Sequence, residues 1–326
     1  MFNWKEKRIL ITGGAGFIGS SLCEKLASLR SQVIIFDNFS SGKYENIEEI
    51  LEKYTDKACL LKGDCKKPSD VKKAVSNVDV VFHFAANPEV RLELNDPKNC
   101  FEQNIYATHV LLEALRQTCD VERVVFASTS TVYGDAEVFP TPESYGPVKP
   151  ISVYGASKLA SEALISSYAY LCNFAAVILR FANVIGPKSQ HGVIPDFINK
   201  LRKNEKELEI LGDGTQRKSY LYIDDCVDAI LTACEKSSSQ VEIFNVGSED
   251  WVTVARIAEI VVEEMGLKNV KFRFTGGVNG GRGWKGDVKK MLLDISKLKL
   301  LRWKPKYNSE EAVRKATKHI LEIERQ

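Results

Sequence analysis

The feature that most constrains this chain is an alternation running through its first 130 residues. Short β-branched or apolar runs, several closed by glycine or aspartate, are separated by stretches with helical spacing. Arg8–Thr12, Gln32–Phe36, Ala58–Lys62, Val78–His83 and Arg123–Ser128 read as strands, with helices predicted over Phe17–Leu29, Asn46–Tyr54 and Cys100–Thr118. Strands that alternate with helices imply right-handed crossovers and a parallel sheet. The expected fold is therefore α/β, a Rossmann-type doubly wound parallel sheet.

Beyond residue 135 the regularity breaks. Pro140, Pro142, Pro147 and Pro150 crowd one segment that reads as a surface loop. A helix is predicted from Tyr154 to Tyr170, then a strand over Ala176–Arg180, and further helices near Pro195–Arg202 and Asp224–Cys234. Gly276, Gly277, Gly280, Gly281 and Gly283 form a glycine-rich loop before Met291–Leu293, and the lysine-rich stretch Lys289–Lys306 reads as a solvated face. These breaks suggest a cofactor domain over 1–180 and a smaller C-terminal α/β substrate lobe over 181–326, with the chain free to cross back to the sheet.

Composition excludes several classes. With 45 Lys and Arg against 43 Asp and Glu, the net charge of +2 offers no basic surplus for nucleic-acid binding. No apolar run approaches the roughly 18 residues of a membrane span. The opening Met-Phe-Asn-Trp-Lys-Glu-Lys-Arg lacks the pattern of a signal peptide, so a soluble, cytoplasmic protein is expected. The eight cysteines (23, 59, 65, 100, 119, 172, 226 and 234) form no Cys-x-x-Cys pair and read as reduced thiols. With only four histidines, no metal site is expected.

Two motifs carry chemistry. Gly13-Gly14-Ala15-Gly16-Phe17-Ile18-Gly19 joins the first strand to the first helix. There Gly13 permits the turn, Gly16 lets the backbone approach a pyrophosphate, and Gly19 allows close helix–strand packing. Asp37, with Asn38 beside it, ends the next strand; its carboxylate suits the ribose hydroxyls of NAD, and it also suits a plain strand-ending turn. Asp64, followed by Cys65, ends a strand on the same edge, where adenine is expected. The second motif, Tyr154-Gly155-Ala156-Ser157-Lys158, opens a predicted helix, and residues four apart share a face. A tyrosine base at neutral pH needs its pKa lowered by about three units, roughly 4 kcal/mol of phenolate stabilisation. Lys158 and a nicotinamide cation together suit that task. The hydroxyl cluster Ser128-Thr129-Ser130-Thr131 lies upstream at the carboxyl end of a strand, the edge where open α/β sheets bind ligands.

Taken with Phe84-Ala85-Ala86 and Asn104, these motifs make the chain resemble the extended short-chain dehydrogenase/reductase family. Within it the chain is most similar to the NAD-dependent nucleotide-sugar epimerases and dehydratases, the UDP-glucose 4-epimerases above all. The resemblance implies that Thr129 donates to the reacting sugar hydroxyl, with Ser130 beside it. Tyr154 takes the 4-hydroxyl proton while hydride passes to tightly held NAD, and Lys158 also holds the nicotinamide ribose. Ser128, Phe84, Ala85, Ala86, Phe17, Ile18 and Asn104 line the cofactor, and the partner expected is a second copy of the chain.

The subclass follows from departures. The resembling 4,6-dehydratases carry two acidic residues after the catalytic Thr, where this chain has Ser130 and Thr131; uronate decarboxylases keep a glutamate at the second position. Epimerisation needs neither. In the second lobe Asn183, Lys218, Arg217 and Arg282 are expected at the nucleotide sugar, with Lys218 where the family usually has Arg and Trp284-Lys285-Gly286-Asp287 replacing Arg-Pro-Gly-Asp. An ammonium cannot copy a guanidinium's planar grip, so the nucleotide stays open. Gln190 stands where uronate epimerases carry a second Arg, which favours a neutral hexose. A 4-epimerase is expected; a 2-epimerase, a uronate 4-epimerase, a dehydratase and a non-catalytic binding protein remain open alternatives.

Overall fold

A computed structural model describes residues 2–87, 96–118, 121–189 and 191–323; Gln190 and Cys119 lie outside the described residues. The first crossovers run β1 (Arg8–Thr12), α1 (Phe17–Ser28), β2 (Gln32–Asp37), α2 (Glu48–Lys53), β3 (Ala58–Lys62), α3 (Pro68–Ala74) and β4 (Val80–His83). After α4 (Pro97–Cys100) and α5 (Ala107–Thr118) come β5 (Arg123–Thr129), α6 (Val153–Cys172) and β6 (Ala175–Phe181). The chain continues through β7 (Asn183–Ile185), α7 (Val193–Lys203), β8 (Glu207–Ile210), β9 (Arg217–Lys218), β10 (Tyr220–Tyr222) and α8 (Ile223–Lys236). It closes with β11 (Val241–Val246), β12 (Val252–Thr253), α9 (Val254–Glu264), β13 (Lys271–Phe274), β14 (Lys290–Met291), α10 (Ser296–Leu300) and α11 (Ser309–Ile323).

The main sheet is seven-stranded and parallel, in the order β11-β6-β5-β4-β1-β2-β3. Its strands are apolar throughout because helices cover both faces: Ile9, Leu10, Ile11, Val80, Val81 and Phe82 are fully buried. The strand order reverses between β1 and β4, where Thr12 pairs with His83. That switch point is where open α/β sheets leave a crevice at their carboxyl ends.

The chain forms two compact units. The first comprises Met1–Val132, Val153–Arg180 and Val227–Phe244; the second comprises Tyr133–Ser152, Phe181–Cys226 and Asn245–Gln326. Within the second, β7 pairs with β10, β9 lies between β12 and β14, and β8 pairs with β13. Among the described residues, no helix is long and apolar enough to cross a membrane.

Two local expectations change. The helix expected over Cys100–Thr118 is interrupted by a π-helical stretch, Phe101–Tyr106. The cause is competition for the Asn104 carbonyl, which accepts from the hydroxyls of Thr108 (2.5 Å) and Ser161 (3.3 Å). The lysine-rich stretch is only partly solvated. Lys290, Lys299, Lys304 and Lys306 are exposed, while Met291, Leu293, Leu298 and Trp303 between them are buried.

Candidate active site

In the first unit, β5 delivers Thr129 and the opening turn of α6 delivers Tyr154, with Lys158 one turn further along. The Lys158 ammonium donates to the carbonyl of Ala127 (2.9 Å) and lies 4.8 Å from the Phe126 ring centroid and 6.0 Å from that of Tyr154. Both the backbone N–H and the hydroxyl of Thr131 donate to Thr129 Oγ1 at 3.2 Å, which leaves the Thr129 proton for the Tyr154 phenol. Burial drives these groups toward neutrality. Tyr154 keeps part of its surface accessible, yet the protein around its phenol raises its pKa. Burial brings Lys158 down to about 7, opposed by the negative charge of Glu162.

A buried polar chain orients the helix. The Asn104 side-chain amide donates to Ser157 Oγ (2.8 Å), and that hydroxyl donates to the Tyr154 carbonyl (2.8 Å). Asn104 Oδ1 accepts from the Asn87 N–H (2.9 Å), so the π-helical stretch and α6 share one anchor. Ser128 turns away from this chain and donates to Glu162, which also takes both arms of Arg180.

The glycine turn fits a dinucleotide. Gly13 has φ +70°, and a Cβ there would lie 2.7 Å from the Ala85 nitrogen, which fixes Phe84 and Ala85 against the turn. No side chain caps α1 and no acidic residue occupies its first turn, so Gly16, Phe17 and Ile18 present an open, positive helix terminus suited to a pyrophosphate. Asp37 accepts from the N–H groups of Ala15 (3.0 Å) and Phe39 (2.8 Å), one at each oxygen. A carboxylate offers about four acceptor sites, so capacity remains for ribose hydroxyls. Asn38 accepts from the N–H of Ser40, Asp64 from that of Lys66, and Cys65 is buried, which pushes its thiol up to about 12. Ala86 follows the β4 end, and Ser130 is buried after β5.

In the second unit, Lys218 and Arg282 converge on Asp287. The ammonium donates to its side chain (2.6 Å), and the guanidinium donates to its carbonyl (2.6 Å) while gripping Asp135 with two hydrogen bonds (2.9 and 3.0 Å). Arg217 stands apart: its guanidinium lies 4.1 Å from the Trp251 ring centroid, because successive strand residues face opposite ways. Asn183 holds a buried Nδ2 without a hydrogen-bond partner in the protein, the kind of donor a bound ligand satisfies. Glu162, Arg180, His83 and Asp135 are absent from the sequence expectations. Helical spacing marks Glu162 as one turn beyond Lys158, whereas nothing local marks Asp135 as a partner of Arg282.

The sequence profile of the NAD-dependent epimerase/dehydratase family matches residues 9–247. A putative UDP-glucose 4-epimerase of Methanocaldococcus jannaschii is 35% identical over 94% of this chain and 96% of its own length. The dTDP-D-glucose 4,6-dehydratase of Mus musculus is 33% identical over 95% of this chain and 87% of its own. A crystal structure of a UDP-galactose 4-epimerase superposes with a TM-score of 0.85 at 46% identity, covering 97% of this chain and 99% of that one.

Proposed function

The chain belongs to the NAD-dependent epimerase/dehydratase family, and from that premise we propose that it is a nucleotide-sugar 4-epimerase that interconverts UDP-glucose and UDP-galactose. The observation that carries this reading is the character of the groups gathered at Tyr154. Thr129, Ser130 and Thr131 supply hydroxyls where a dehydratase needs two acids. Nearby Glu162 has both oxygens committed to Arg180.

Bound NAD⁺ supplies a reversible hydride acceptor and a positive charge. Tyr154 Oη takes the proton of the sugar 4-hydroxyl, Thr129 Oγ1 donates to the reacting oxygen, and Lys158 Nζ offsets the cost of a buried phenolate. With NAD⁺ in place to take up the C4 hydride and give it back to the other face of the ketone, the sugar would turn over as its 4-keto form and Tyr154 would return the proton to the oxygen. Gly13, Gly16, Gly19 and Asp37 hold the dinucleotide, with Asp64 and Cys65 toward its adenine and Phe84, Ala85, Ala86 and Asn104 along its length. Asn183, Lys218 and Arg282 hold the diphosphate, while Arg217 braces Trp251. The scattered cysteines, with no Cys-x-x-Cys pair, suit a reducing cytoplasm, and the active form is a homodimer.

The test is turnover of UDP-galactose by purified protein without added cofactor, followed by mass spectrometry and separation of the sugar nucleotides. UDP-glucose of unchanged mass is expected. Tyr154→Phe lowers the rate by about 10²–10⁴-fold with NAD still bound. A product lighter by one water, or no conversion while NAD is bound, overturns the proposal.

A further inference from the structure

Tyr154, Lys158 and Glu162 follow one another at intervals of four along α6, so all three lie on one helix face. Glu162 and Arg180 are 4% and 5% exposed, and their ion pair is bidentate, with Nε donating to Oε1 (3.0 Å) and Nη2 to Oε2 (2.7 Å). The Ser128 hydroxyl also donates to Oε1. Lys158 grips the carbonyl of Ala127, the residue before Ser128, so the ammonium and the carboxylate hold adjacent links of β5 just ahead of Thr129. Stability alone is a weak reason to keep such a pair, because apolar isosteres often replace buried ion pairs without loss.

Charge supplies a better reason. The groups around Lys158 are Tyr154 and Glu162 on its own helix, Cys100 beside the phenol from α4, His83 at the end of β4, and Arg180 on β6. His83 is neutral in the buried site. Without Glu162, the buried ammonium loses the anion that offsets its burial, which favours the neutral amine. A neutral Lys158 no longer stabilises a phenolate.

We propose that Glu162, clamped by Arg180 and Ser128, is a positioning residue that keeps Lys158 charged and fixed beside the Tyr154 phenol. This rests on the assignment of Tyr154 and Lys158 as the reacting pair but on no particular sugar. The pair titrates as a unit: without the anion Lys158 gives up its proton first, and the Tyr154 phenol then ionises beside a neutral amine, at higher pH.

The experiment titrates tyrosinate absorbance in the NAD-loaded protein, taking the difference against Tyr154→Phe, so that no turnover is needed. In Glu162→Gln the Tyr154 step is expected to move up by about one pH unit or more, and Glu162→Asp is expected to return it most of the way. In a turnover assay, the pH profile of kcat shifts the same way while KM changes less than about threefold. If Glu162→Gln does not fold, the isosteric pair Glu162→Met with Arg180→Met replaces it, with at least a tenfold loss of kcat and bound NAD expected. A titration step unmoved or moved to lower pH in a folded Glu162→Gln protein overturns the proposal, as does wild-type kcat in the double variant. Failure on every sugar nucleotide with the titration shift present instead rejects the substrate reading and leaves this one standing.

Discussion

At the scale of single residues, His83 shows how much of this site is fixed by neighbours. Thr12 Oγ1 accepts from the N–H groups of Phe84 and Ala85 (both 3.2 Å), so its proton goes to His83 Nδ1 (2.8 Å). The imidazole must then carry hydrogen on Nε2, where it donates to Thr108 (2.9 Å), whose own proton goes to the Asn104 carbonyl. Burial, reinforced by the charge of Lys158, lowers the His83 pKa from 6.5 to about 3. A depressed pKa means the unfolded chain binds the extra proton first as acid is added. The stabilisation from a neutral His83 is thus complete above pH 6.5 and is lost progressively as pH falls toward 3. Its full size is on the order of 5 kcal/mol. Urea unfolding from pH 7 to 4 is expected to show a steeper acid loss in the wild type than in His83→Gln, which offers an acceptor and a donor without titrating. Parallel curves would mean that His83 is not the group responsible. The spacing of four that puts Tyr154 and Lys158 on one helix face is legible in the sequence, whereas Thr129 is reached only through the family resemblance. His83 is not legible, since its partners lie 71 and 25 positions away.

Among elements, the β1–α1 turn separates two uses of glycine that the motif alone runs together. A Cβ on Gly19 would stand 2.2 Å from the Gly13 carbonyl oxygen and 2.9 Å from the Gly14 Cα, both backbone atoms that cannot give way cheaply. A Cβ on Gly16 meets only that same oxygen, at 3.1 Å, and the residue has φ −75°. Gly19→Ala is therefore expected to destabilise the protein without cofactor by about 3 kcal/mol. Gly16→Ala is expected to cost less than about 1 kcal/mol in the same protein and to weaken NAD binding at least tenfold. Urea unfolding and calorimetric NAD titration distinguish the two; equal destabilisation would remove the distinction. The main strands and the helices between them are legible for the reason the sheet exists, since apolar runs of strand length have to be buried on both faces. The π-helical stretch is not legible. It arises where hydroxyls of Thr108 and Ser161 take the Asn104 carbonyl, and Ser161 belongs to a different helix.

For the whole molecule, the chain visits the two units in six segments, and three of the five passages fall inside the strands and α-helices rather than in linkers: Arg180 to Phe181 within β6, Cys226 to Val227 within α8, and Phe244 to Asn245 within β11. Composition shifts mark linkers, so a reading of the sequence divides 1–180 from 181–326 and leaves the chain free to cross back to the sheet, but it does not locate the exchanged stretches 133–152 and 227–244. What holds the second unit's separate segments together is equally non-local. Asn245 donates to the carbonyls of Thr141 (2.9 Å) and Asp294 (3.0 Å) and accepts from the Tyr133 hydroxyl (2.7 Å), joining three distant stretches through one buried amide. Association belongs to this same scale. A net charge of +2 sets little long-range repulsion between copies. Phe101, at the start of the π-helical stretch, is 55% exposed, and Leu171, at the end of α6, is 67% exposed. Large apolar side chains left in water on these two helical stretches are what a subunit interface would cover. Sedimentation equilibrium of the wild type is expected to give twice the mass of one chain. Phe101→Glu combined with Leu171→Glu is expected to give single chains at the same concentration, because a desolvated carboxylate without a partner costs several kcal/mol. Leu300→Glu, at a position 84% exposed on α10, adds the same charge away from those helices and should leave the dimer intact. Dimers that survive the paired substitution would place the interface on another surface.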